Sequence, residues 1–195
     1  MVYGNDRTIE NVGNAIESGE AKPMIVVFPY IYASKEQDAC TAMDDANNAA
    51  YDNFINDLIT DLMPFIEEEY SVATGRENTA ITGFSMGGRE SLYIGFTRPD
   101  LFGYVGAVCP APGTSPGLIA QEDFTFENSD YAPWLLMISA GSNDQVVWTV
   151  PSGYNDILNE NGVTHIWQLI DYGGHDQTTV TPHMYNFIRM IFKAE

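Results

Sequence analysis

The stretch ITGFSMGGRES, residues 81–91, sets Ser85 between Gly83 and Gly87 at the point where an apolar run gives way to a helical pattern. A serine hydroxyl is a weak nucleophile unless a neighbouring base takes its proton. A nucleophile on a sharp strand-to-helix turn also needs close neighbours without side chains. The pattern G-x-S-x-G in this context points to covalent acyl chemistry at Ser85. The competing reading is a serine that caps the following helix, with glycines serving only the turn.

A base must then be found among three histidines. His165 starts an apolar run, and in a parallel sheet that end lies away from the carboxyl ends where Ser85 emerges. His183 falls in the early part of the last helical pattern. His175 lies in DYGGHDQ, after the run ending near Ile170, on a loop that Gly173 and Gly174 make adaptable. It is the base this sequence favours. The acid that orients it is expected on a loop between serine and histidine, and Asp144 in SAGSNDQVV meets that condition. Asp171 is the rival, but it is four residues from His175, whereas acid and base usually come from different loops. Asp156 reads as helical, and Asp176 adjoins the histidine.

The elements that must hold these residues are legible as five continuous apolar runs, at 24–28, 79–84, 104–108, 134–140 and 165–170. Runs that are continuous rather than alternating suit strands covered on both faces. Helical spacing is clearest over 50–69, where Pro64 should kink or divide the helix. It recurs at 8–18, 87–97, 150–161 and 180–193. Alternation of the two predicts a three-layer α/β domain with a mostly parallel sheet, filling 1–195 as one unit. The segment 110–133, interrupted by prolines, reads as a loop over the carboxyl ends of the strands. Phe124, Phe126 and Tyr131 in it, with Trp148 after Asp144, are candidates for an apolar acyl pocket; ordinary packing is the alternative.

Composition narrows the partners. With 27 Asp plus Glu against 8 Lys plus Arg, the formal net charge is -19, which repels phosphate backbones and anionic lipid. Nucleic acid and membrane surfaces are not expected partners, and a neutral ester is a suitable substrate. The acidic residues lack calcium-loop spacing, and Cys40 and Cys109 are too few for a zinc site or a disulfide framework, so neither metal nor cofactor is expected. Cys109 ends the run YVGAVC and reads as a small buried hydrophobe. No basic-then-apolar leader follows Met1, which fits a cytoplasmic protein and a trimmed secreted one equally.

GFSMGG after a strand, the loop GSND, and GGHD before a last helix containing YNFIRMIF together resemble carbohydrate esterase family one, the esterase D-like branch of the α/β hydrolases. The likeness is greatest to bacterial feruloyl esterases attached to xylanases. YDNFINDLITDLMPFIEEEYSV and GRENTAITGFSMGGRESL are similar to the same group. The resemblance implies Ser85 as nucleophile, His175 as general base and acid, Asp144 as its orienting partner, and feruloyl, acetyl or other acyl esters as substrates. It also implies that the backbone N–H of Met86, after the serine, is one oxyanion donor, and that several upstream strands and an HGxGG-like loop supply a second; nothing like that loop occurs between Met1 and Tyr30. The expectation is therefore a domain shortened at its N-terminus, with an open sheet edge covered in a homodimer or swapped assembly. Two further readings compete with a hydrolase: an acyltransferase, in which an alcohol replaces water, and a binding module weakened by loss of the upstream loop.

Overall fold

The computed structural model describes residues 6–42, 44–112 and 124–193. Four parallel strands, β1 (Ala80–Phe84), β2 (Tyr104–Val108), β3 (Leu135–Gly141) and β4 (Ile166–Ile170), lie side by side in chain order. Ala80 pairs with Tyr104, Tyr104 with Leu135 and Met137 with Ile166. The helices are α1 (Asp6–Glu17), α2 (Asp45–Asp52), α3 (Phe54–Asp57), α4 (Met63–Glu69), α5 (Met86–Thr97), α6 (Val150–Glu160) and α7 (Gln177–Met190). This is an α/β-hydrolase-type arrangement, with helices on both faces of the sheet.

Residue alternation along the strands decides the layers. Val105 and Ala107 of β2, with Leu136 and Ile138 of β3, face a core shared with Leu92 and Ile94 of α5, Tyr154 and Leu158 of α6, and Phe54 and Leu58. Tyr104, Leu135 and Met137 point the other way, against Phe187 and Ile191. Ile188 of α7 joins Val12 and Ala15 of α1 beyond them. Each large apolar side chain so buried stabilises the fold by roughly 1.5–3 kcal/mol relative to exposure. No helix among the described residues is long and apolar enough to cross a membrane.

Two sequence expectations change. The helical stretch around 50–69 divides into α2, α3 and α4, with a π-helical turn at Leu58–Leu62 just before Pro64. Pro64 has no N–H to donate to the preceding turn, so the ladder widens there instead of continuing. Residues 24–28, MIVVF, are not a strand: they are outside the sheet, and Ile25, Val26, Val27 and Phe28 are 40–49% exposed. An extended segment becomes a strand only with a partner, and among the described residues β1 pairs with β2 alone. The loop expected over 110–133 falls partly on residues 113–123, outside the described residues.

Candidate active site

The site is assembled at the carboxyl ends of β1, β3 and β4. The chain leaves β1 through Ser85, whose φ of 56° and ψ of -116° lie in a region that non-glycine residues rarely adopt. Backbone bonds hold this turn: Ser85 N–H donates to Val108 O at 3.0 Å, and Ser85 O accepts from Ala111 N–H at 3.0 Å and Arg89 N–H at 3.0 Å. The nearby glycines supply space rather than backbone freedom, since a Cβ on Gly83 would meet the Gly87 carbonyl oxygen at 2.3 Å. The serine side chain caps nothing on α5.

Its Oγ lies 2.9 Å from His175 Nε2, and His175 Nδ1 lies 2.8 Å from Asp144 Oδ2. A carboxylate can only accept, so Nδ1 carries the proton and Nε2 is the free base facing the hydroxyl. Phe84 packs against the imidazole, with ring centroids 4.5 Å apart. Asp144 follows β3 and is buried. Val146 N–H and Val147 N–H donate to its Oδ1 at 2.8 and 3.1 Å. Burial opposes its charge, but His175, these two backbone N–H groups and the Cys109 thiol outweigh that, and the carboxyl is held below its ordinary range.

The loops carrying acid and base are fastened to each other. Ser142 N–H donates to Ile170 O at 2.9 Å, Asn143 N–H to Gly173 O at 2.9 Å, and Tyr172 N–H to Ser142 Oγ at 2.8 Å. Gly141 is required by this approach, because a Cβ there would strike Gly173 O at 2.2 Å. Asp176 caps α7 by accepting from Thr178 N–H at 2.8 Å, and Thr179 Oγ1 donates to Gly174 O at 2.7 Å. His175 is thus aimed by contacts on both sides. Met86 opens α5, where first-turn N–H groups have no intrahelical acceptor and a helix favours negative charge.

The other two histidines have different tasks. His165 sits before β4, its Nδ1 2.8 Å from Val163 O and its Nε2 3.0 Å from Asn155 Oδ1. His183 is fully buried between Thr82 Oγ1 at 2.9 Å and Ser139 Oγ at 2.8 Å, and burial pushes its pKa down to about 3. It is a neutral core imidazole.

The family model Esterase, described as "Putative esterase", matches residues 2–184. The chain belongs to this esterase family. Among solved structures, the ferulic acid esterase AmCE1/Fae1A of Anaeromyces mucronatus is 45% identical, with a TM-score of 0.85 over 92% of this chain and 68% of that one. Its complex with ferulic acid matches with the same TM-score of 0.85. An endo-1,4-beta-xylanase/feruloyl esterase of Xylanibacter ruminicola is 33% identical over 93 residues, 48% of this chain and 12% of that protein. Endo-1,4-beta-xylanase Y of Acetivibrio thermocellus is 29% identical over 114 residues, 53% of this chain and 9% of that protein. The chain spans about a tenth of the length of these curated relatives.

The aromatic candidates occupy different parts of the fold. Phe124 is fully buried in the core, its ring centroid 5.1 Å from Phe96 and 5.3 Å from Tyr154, and Phe126 stacks on Phe96 at 4.6 Å. Tyr131 lies near the amino ends of the strands, where Arg76 Nη2 donates to its carbonyl at 2.8 Å. Proline-rich spacing gives no direction to a side chain: Phe124 and Phe126 pack on apolar rings, whereas the Tyr131 ring faces the Arg76 guanidinium at 5.7 Å. Trp148 stands on the Asp144 loop, 67% exposed with φ 49°. Two features escaped sequence reading. Arg89 and Glu90 on α5 are buried with Asp52, although charged residues just inside a helix look like a solvated face. Cys109 lies beside the acid: its Sγ, an Asp144 oxygen and a His175 nitrogen are within 4.8 Å of one another. Such S, O and N donors could share a soft metal ion, but Asp144 and His175 already bond each other. The signal for Cys109 was its place at the carboxyl end of a strand.

Proposed function

We propose that the protein is a serine carboxylic ester hydrolase with Ser85 as nucleophile, His175 as general base and acid, and Asp144 as the group that orients the imidazole and stabilises its protonated form. The continuous hydrogen-bond line from Ser85 Oγ through His175 to Asp144, at 2.9 and 2.8 Å, is the observation that carries this reading. Ser85 Oγ adds to the ester carbonyl carbon as its proton passes to His175 Nε2. The tetrahedral oxyanion is met by Met86 N–H. Collapse breaks the acyl C–O bond, and His175 returns the proton to the leaving alcohol. Water, deprotonated by the same nitrogen, then adds to the acyl carbon; the bond to Ser85 Oγ breaks, His175 returns the proton to that oxygen, and the carboxylic acid leaves.

The substrate class we favour is a feruloyl or related hydroxycinnamoyl ester of plant polysaccharide, supported by the likeness to a ferulic acid esterase at 45% identity. Trp148, exposed on the Asp144 loop, is the aromatic we assign to contact such an acyl group. The outer edge of β1, unpaired among the described residues, and the exposed apolar residues 25–28 support an assembly in which a second copy covers such surface. Light scattering that shows a strict monomer at all concentrations would count against the assembly. For the activity, a panel of feruloyl, acetyl and butyryl esters is the test. Feruloyl turnover should dominate in the parent and vanish in Ser85→Ala; equal rates on all three esters would reject the acyl assignment.

A further inference from the structure

We infer that Cys109 is a positioning residue: from the left-handed turn that ends β2, its thiol donates to the Asp144 carboxylate and holds it in line with His175. This rests on the triad reading above and adds a fourth member to it. Val108 is the last residue of β2, and Cys109 continues the ladder by one bond, its N–H donating to Ser139 O at 2.8 Å. There the backbone turns to φ 45°, a conformation suited to glycine or asparagine rather than to a residue with a larger side chain. The side chain is completely buried among Val108, Val147 and Val180, so a polar group there must find partners inside the protein. The groups facing the sulfur are the Asp144 carboxylate, one oxygen of which lies with Sγ and a His175 nitrogen within 4.8 Å of one another, together with the Gly141 backbone and the Thr179 side chain.

This location links both loops of the site. Asp144 is the carboxylate that orients the base. Thr179 Oγ1 donates at 2.7 Å to the carbonyl of Gly174, the residue before His175. Burial and the facing carboxylate push the thiol up to about 12, so it keeps its proton and acts as a donor rather than as a nucleophile. With Val146 N–H, Val147 N–H and His175, the thiol completes a set of four donors around one buried carboxylate. A glycine would relax the turn but leave that carboxylate one donor short.

The test compares Cys109→Gly, Cys109→Ala and Cys109→Ser with the parent on one feruloyl ester, rates being referred to sites titrated with a fluorophosphonate so that folding yield cancels. In the Gly and Ala variants kcat should fall by about tenfold, the scale of one hydrogen bond to a charged group, with KM within about twofold. Cys109→Ser, which restores an O–H donor, should recover most of kcat. The inference is overturned if the Gly and Ala variants keep the parent's kcat, or if Ser is as impaired as Ala, since packing alone would then explain the residue. Ser85→Ala in the same series separates the two ideas: if it stays active the triad reading fails, and if it is silent while Cys109→Ala is fully active only this inference falls.

Discussion

Asp144 and Glu90 are both buried carboxyls, and the protein treats them in opposite ways. Around Asp144 the chain gathers N–H donors and an imidazole, which outweigh burial and keep it ionised. Around Glu90 there is one cation for two acids, because Arg89 pairs with both Asp52 and Glu90. Burial then dominates and pushes Glu90 up to about 8. A proton on Glu90 balances the buried charge and lets it hydrogen-bond Asp52. Low exposure is common to both sites, and the donor count decides which carboxyl is charged. Charge is retained where two loops converge on Ser85 and surrendered where α2 meets α5.

The strongest way to break this contrast is to remove the charge of the first site. Asp144→Asn should lower kcat on the order of a thousandfold or more with little change in thermal midpoint, measured on a chromogenic ester, because His175 loses the partner that fixes its tautomer. Next in size is removal of the cation in the second site. Arg89→Met leaves Asp52 and Glu90 facing each other and should cost about 3 kcal/mol in urea unfolding, as expected when one partner of a buried ion pair is deleted.

A smaller effect is pH-dependent. Glu90 ordinarily titrates at 4.5 and in the folded protein at about 8, so between those values the folded state holds a proton that the unfolded state has lost. Stability therefore falls as pH rises through that interval, by up to about 1.4 kcal/mol per unit for one proton. His183 acts in the opposite sense: its pKa drops from 6.5 to about 3, so stability falls as pH decreases through that range. The two slopes cancel between 4.5 and 6.5, which predicts a plateau there and losses on either side. Melting curves from pH 4 to 9 should show this shape, and Glu90→Gln should flatten the alkaline side and turn the plateau into a decline toward acid, since His183 then acts alone between 4.5 and 6.5. The smallest effect is expected at the open flank. Ile25→Thr should change stability by about 0.5 kcal/mol or less while reducing dye binding to exposed apolar surface, because that side chain is 49% exposed.

The sequence announced the parts of the fold whose signals are local. The runs at 79–84, 104–108, 134–140 and 165–170 became β1 to β4 with boundaries moved by a residue, because continuous apolar runs between helices have one stable use in a covered parallel sheet. MIVVF carries the same signal at 24–28 and is no strand, since strand pairing depends on a neighbour that a single segment cannot specify. Ser85, Asp144 and His175 could be nominated because each lies just past a strand end. The bonds that aim them, between Asn143 and Gly173 or between Thr179 and Gly174, join loops far apart in sequence and leave no periodic trace. The Arg89, Glu90 and Asp52 cluster was illegible for a related reason: residues 37 positions apart share the same desolvated space.

The central claim is that Ser85 is a nucleophile activated through His175, and the most direct measurement is covalent labelling with a fluorophosphonate followed by peptide mass spectrometry. The parent should take up one label, on Ser85, and lose ester hydrolysis in proportion, while His175→Ala should label far more slowly at the same residue. A label on another residue, or undiminished hydrolysis by protein fully modified at Ser85, would contradict the account.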